Sequence, residues 1–129
     1  MVSFIRQVTF DCHDAYGLSK FWEQVTGFRE YDHDPNLPGQ EEAYLVNPEK
    51  GTNLLFLQVP EGKTVKNRLH LDIVPTDRTR DEEVDRLLGI GAELHRDHRA
   101  DDGTGFVVLT DPEGNEFCVE RSVSERPLY

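Results

Sequence analysis

The stretch "TDPEGNEFCVER", Thr110 to Arg121, decides how this chain is read. Asp, Pro, Gly and Asn in close succession make a tight turn, and the residues after it feed a strand. A twin stands in the first half as "VNPEKGTNLLFLQ", Val46 to Gln58. An offset of 64 lays Asn47, Pro48 and Glu49 on Asp111, Pro112 and Glu113, and an offset of 63 lays Asp14 on Asp77 and Gln7 on His70.

Outward from these twins, the same order of elements occurs twice. Ser3 to Cys12 alternates and is rich in β-branched and aromatic residues, so it predicts a strand. Asp14 stands where a helix N-cap belongs, Leu18, Phe21, Trp22 and Val25 share one helical face, and Gly27 marks the stop. "FREYD" (Phe28 to Asp32) predicts a short strand and Asp34 to Gln40 a loop. "EAYLV" (Glu42 to Val46) and "NLLFLQV" (Asn53 to Val59) predict two more strands. In the second half "RLHLDIV" (Arg68 to Val74) predicts a strand and Asp77 a cap. Val84, Leu87 and Leu88 give a helical face closed by Gly89 and Gly91. "AELHRD" (Ala92 to Asp97), "FVVLT" (Phe106 to Thr110) and the strand after the opening turn complete the set. Two β-α-β-β-β modules, about residues 3–60 and 67–123, fit a single α+β domain over 1–129. Duplicated modules of this kind are expected to form curved mixed sheets around a shared cleft.

Bulk properties narrow the function classes. Apolar residues make up 36% and charged residues 30%, a balance that gives a core and a wet surface. No apolar run is long enough for a membrane span. The N-terminal "MVSFIRQVTF" lacks a long apolar region with a small-residue cleavage site, so a cytoplasmic protein is the expectation. A formal charge of −11 repels phosphates, which argues against nucleic acid as a partner and favours cationic small molecules. Cys12 and Cys118 make no CxxC pair, and two distant cysteines of this kind are read as reduced and buried.

The tandem β-α-β-β-β order, "HLDIVPTD" (His70 to Asp77) opening the second half and "TDPEGNEF" before the last strand resemble the vicinal oxygen chelate superfamily. That group contains glyoxalase I, extradiol dioxygenases, and fosfomycin- and bleomycin-resistance proteins. The resemblance covers about Ser3 to Val123 and is closest to the small glyoxalase-like, single-domain members. It implies that each module of a metal-dependent member supplies two ligands to a divalent cation. One is a His or Gln on the first strand, about seven residues before the capping Asp. The other is a Glu on the last strand, three residues after the Asn of the turn. The first-strand places fall on Gln7 and His70. The last-strand place of module two falls on Cys118. That of module one falls on Phe56 or Leu55, because the turn there has an extra residue. Two of the four positions therefore depart from the pattern. Glu120, two residues past Cys118 and so on the same strand face, is the nearby carboxylate, with Gln58 read as its counterpart in module one.

The expectation is a small-molecule binder in the style of bleomycin-resistance proteins, without the full metal site and without a resident cofactor. Its candidate ligand-binding residues are Gln7, Phe56, His70, Asp72, Cys118 and Glu120. The alternative is a glyoxalase-like lyase or isomerase, or a dioxygenase-type enzyme. There His70 or Glu120 acts as general base, and a divalent metal is held by Gln7, His70 and Glu120 or the site is metal-free. His95 and His98 are read as surface histidines and Asp77 to Arg86 as a solvated helix face with Glu82 paired to Arg86. The resemblance also implies a homodimer, with the C-terminal "RPLY" as a tail that is frayed or packs on a partner.

Overall fold

The computed structural model describes residues 1–126, so that of the "RPLY" tail only Arg126 lies among the described residues. The chain divides into two compact units, Met1–Lys63 and Thr64 onward. Among the described residues, no helix is long and apolar enough to cross a membrane.

The first unit contains β1 (Gln7–Cys12), α1 (Ala15–Thr26), β2 (Glu42–Leu45) and β3 (Asn53–Gln58). Helix α1 begins where Asp14 accepts the Gly17 N–H at 3.0 Å. It ends at Gly27, whose φ of 73° is the left-handed conformation that glycine adopts without penalty. The sheet runs in the order β1-β3-β2, with β1 parallel to β3 and β2 antiparallel to it. Phe10 and Phe56 are register partners with ring centroids 5.1 Å apart, and Trp22 of α1 lies 5.3 Å from Phe10. Each such side chain contributes roughly 1.5–3 kcal/mol by leaving water, so this aromatic cluster holds the helix on the sheet. The strand expected at "FREYD" is reduced to single bridges, Arg29 to Val46 and Tyr31 to Asp34.

The second unit has the full order β4 (Leu71–Ile73), α2 (Arg80–Gly89), β5 (Glu93–Asp97), β6 (Val107–Thr110) and β7 (Glu116–Val119). Its sheet runs β4-β7-β6-β5, with β4 parallel to β7 and the other pairs antiparallel. The helix cap is Thr79 rather than Asp77. Thr79 and Glu82 form a reciprocal capping box, while Asp77 binds Arg78 outside the helix. Glu82 is thereby committed to the cap, and Arg86 pairs with Glu83 at 2.6 Å instead. The opening turn is built on Asp111, whose carboxylate accepts the backbone N–H groups of Glu113 and Asn115 and the Asn115 side chain. It delivers the chain into β7, where all four residues are buried.

Arg80 holds the acidic loop in place. Buried at the start of α2, it donates to the carbonyls of Gly103, Thr104 and Gly105 at 3.3, 3.1 and 2.9 Å. Gly105 sits at a φ of 94°, and a Cβ there would collide with the His98 carbonyl. Replacing the guanidinium by an apolar chain leaves these carbonyls without their buried donor. Arg80→Met is expected to lower stability by roughly 2–4 kcal/mol in chemical denaturation. A change within experimental error would show that the loop does not depend on Arg80.

Candidate functional site

The strand pairings decide which predicted residues meet. In the second unit, Asp72 of β4 stands opposite Cys118 of β7, and Val108 of β6 stands opposite Cys118 on its other side. Glu116 lies two residues before Cys118 and so shares its face, about 6.6 Å along the strand. His70, just ahead of β4, brings its Nε2 to 3.5 Å from Asp72 Oδ1. One donor atom each from His70, Asp72 and Cys118 lie within 4.8 Å of one another. The structure thus gathers three of the predicted site residues in one place. His70 and Asp72 have side chains 44% and 52% exposed, whereas Cys118 is 7% exposed. The thiol forms the floor and the other two the reachable rim.

Cys118 is held as a thiol. Burial pushes its pKa up, and the neighbouring charge of Asp72, its hydrogen bond to Asp72 and the charge of Glu120 push the same way, to about 11. All of these favour the neutral form, so at neutral pH the group is an S–H facing a carboxylate. Glu120 follows β7, where its N–H bonds Ile73 and its carboxylate lies 3.7 Å from Arg126. It influences Cys118 electrostatically but has an ion-pair partner of its own.

Glu116, which sequence reasoning passed over, also belongs to this face. Glu116 is 8% exposed and accepts the Asn67 N–H at 2.7 Å, while Asn67 Oδ1 accepts the Glu116 N–H at 3.0 Å. Lys66 and His95 each approach the same Glu116 oxygen at 3.5 Å. His95 is exposed, as expected of a surface histidine, and its partner is Glu116. His95 lies within β5, where the pairing shifts register between Leu94 and Arg96. The signal available in sequence was Glu116 two positions before Cys118, which alternation alone puts on the same side. The register shift that brings His95 to it has no such signature. His98 follows β5, and its ring lies tilted against Phe106 with centroids 4.8 Å apart.

The first unit answers the Phe56-or-Leu55 question. Thr9 is opposite Leu55, and the offset of 63 that relates Thr9 to Asp72 also relates Leu55 to Cys118. Phe56 is 0% exposed, on the side stacked with Phe10, so it is a core residue and not a lining residue. The same register makes Leu57, not Gln58, the counterpart of Glu120. Gln7 is half-buried at the start of β1, opposite Asn53. The extra turn residue that created the ambiguity is accommodated with Lys50 at a φ of 60°.

Residues 7–120 match the glyoxalase-like domain, and the chain belongs to that family. Among curated proteins, none matches this sequence. Solved structures share the fold at low identity. A glyoxalase/bleomycin resistance protein/dioxygenase family enzyme from Burkholderia phytofirmans PsJN is 21% identical, with a TM-score of 0.66 over 94% of this chain and 99% of its own. A mutant of the fosfomycin resistance protein FosX from Listeria monocytogenes, complexed with Mn(II) and 1S,2S-dihydroxypropylphosphonic acid, is 15% identical, with a TM-score of 0.70 over 95% and 92%. A possible glyoxalase from Bacillus cereus is also 15% identical, with a TM-score of 0.64 over 92% and 99%.

Because thiolate is the reactive form, the raised pKa has a direct readout. Against an ordinary thiol near 9, a value of about 11 lowers the thiolate fraction at pH 8 by about 100-fold. Alkylation of Cys118 by iodoacetamide, followed by peptide mass spectrometry, is expected to be slower than that of an ordinary exposed thiol, by less than that factor where the greater nucleophilicity of a more basic thiolate offsets it. Asp72→Asn should speed it. Equal rates in the two proteins would remove Asp72 as a cause.

Proposed function

We propose that this glyoxalase-like protein binds a small molecule at the face formed by His70, Asp72 and Cys118, without the four-ligand cation site of its metal-dependent relatives. The observation that carries the reading is Cys118 itself. A buried, protonated thiol occupies the place where the family pattern has a carboxylate, and Leu55 occupies the equivalent place in the first unit. A hard cation such as Mn(II) takes oxygen and imidazole donors, and neither of these side chains is one.

A net charge of −11 and the half-exposed Asp72 favour a ligand with a cationic group. In this reading Asp72 meets the cation, His70 orients it and Val108 supplies apolar surface beside Cys118. Sequestration without chemical change, in the manner of bleomycin-resistance proteins, needs nothing further from the face.

A second reading has one specific observation in its favour. His70 Nε2 lies 3.5 Å from Asp72 Oδ1, near enough for the carboxylate to orient the imidazole. That is a general-base arrangement, and it supports a glyoxalase-like lyase or isomerase with His70 as base. Glu120 fits the role less well, because Arg126 pairs with it.

Benzamidine and its neutral isostere benzamide separate the ligand classes. Thermal stabilisation by benzamidine and not by benzamide, lost in Asp72→Asn, is the expected result. Equal stabilisation by both, or none by either, would defeat the cationic-ligand reading. The homodimer belongs to the same proposal, and sedimentation equilibrium should return twice the chain mass. A monomer mass would remove it.

A further inference from the structure

We propose that His70, Asp72 and Cys118 form a binding site for a thiophilic borderline cation of the zinc type, contained within the second unit and discriminating against Mn(II). The inference concerns the metal chemistry of this trio and holds whether or not a cationic organic ligand binds there.

The donor set differs from the one the family pattern implies. Of the pattern's two positions in this unit, His70 is retained as it stands. Asp72, two residues along the same strand face, is not a pattern ligand, and Cys118 replaces a carboxylate. Together they offer one nitrogen, one oxygen and one sulfur, all within 4.8 Å of one another. Sulfur decides the selectivity. Thiolate ligands favour zinc and its soft relatives, whereas Mn(II) prefers carboxylate, carbonyl and water oxygens. Three protein ligands with one position open is also a common arrangement at zinc sites that bind a further molecule.

The mechanics of the three side chains suit such a site. Zinc bonds of about 2.0–2.3 Å place tetrahedral ligand atoms about 3.3–3.8 Å apart. The His70–Asp72 separation of 3.5 Å already lies in that range. Cys118 is fixed by β7, which is paired on both sides, so it supplies a rigid anchor. His70 and Asp72 are exposed enough to close on it. Gln7 and Glu120 are not required. Cys12 does not contribute, since its thiol donates to the Leu57 carbonyl in the first unit.

Metal ions alone test the proposal. The reduced protein is titrated with Co(II) as a spectroscopic stand-in, then with Zn(II) against a chromophoric chelator, then with Mn(II). One Co(II) per chain with a near-ultraviolet thiolate-to-metal charge-transfer band is expected, displaced by one equivalent of Zn(II) and not by Mn(II). Cys118→Ser should abolish the band and weaken Zn(II) binding by more than about 100-fold, beyond the usual cost of losing an outer-shell partner. Asp72→Asn and His70→Ala should each weaken it, and the exposed position of both residues keeps the test open if the serine variant is poorly folded. Cys12→Ala should leave binding unchanged. A missing charge-transfer band, Zn(II) affinity retained in Cys118→Ser, or equal affinity for Mn(II) would each overturn the inference. Benzamidine stabilisation in metal-free protein is read separately, so failure of either idea leaves the other standing.

Discussion

The parallel pairing of β4 with β7 is the constraint from which the rest of the second unit follows. Parallel neighbours cannot be joined by a tight turn, so the chain must travel through a helix and further strands before the last strand returns beside the first. That return places Asp72 directly against Cys118, a contact between residues far apart in sequence. It also leaves β7 inside the sheet, with β4 on one side and β6 on the other. A strand paired on both sides has its backbone groups satisfied and its register fixed, so its side chains are held at defined places on each face. Phe117 and Val119 go to the core, and Glu116 and Cys118 to the other side. The rigidity of the candidate site is thus a property of the sheet, and the polar residues around it are placed by that sheet.

The first unit uses the same frame for different ends. β1 and β3 pair in parallel as β4 and β7 do, with Thr9 opposite Leu55 where the second unit has Asp72 opposite Cys118. One unit thus offers a hydroxyl and an isobutyl group at the positions where the other offers a carboxylate and a thiol. The internal similarity is maintained by turns, caps and core residues, which serve folding. The paired positions facing away from the helix are free to differ, because nothing in the hydrogen-bond ladder depends on their chemistry. A duplicated fold can in this way keep its architecture while concentrating its reactive groups in one copy.

The sequence carried the architecture well, because architecture here rests on local signals. Asp14 and Gly27 bound α1 as their chemistry demands, and the Asp-Pro-Glu-Gly-Asn turn forms around the Asp111 side chain. Where two local signals competed, the nearer one misled. Asp77 looked like a cap by analogy with Asp14, yet Thr79 has Glu82 three residues on and can satisfy two backbone donors at once. "FREYD" had strand composition, but only Arg29 finds a partner on the neighbouring strand, at Val46, so pairing ends after one bridge. The site was legible in part. His70 and Cys118 came from the resemblance to the family pattern and Asp72 from alternation with His70, whereas one inserted turn residue left Phe56 and Leu55 both open, and Phe56 lies in the core. His95 lay beyond reach, since a register shift in β5 is a property of two strands together.

Replacing a carboxylate by a thiol at a fixed place changes charge more than shape. A glutamate there would add a negative charge beside Asp72, and two close carboxylates repel unless a cation or a proton lies between them. A thiol with its pKa raised to about 11 carries no charge at neutral pH and donates a hydrogen bond to Asp72. The electrostatic need for a bound cation is reduced, while a sulfur atom stays where the family pattern has a carboxylate oxygen. The face can therefore rest without metal and still respond to one that competes with a proton for sulfur. Hard cations gain little from that exchange, because their bonds to sulfur are weak. Thiophilic ones gain most.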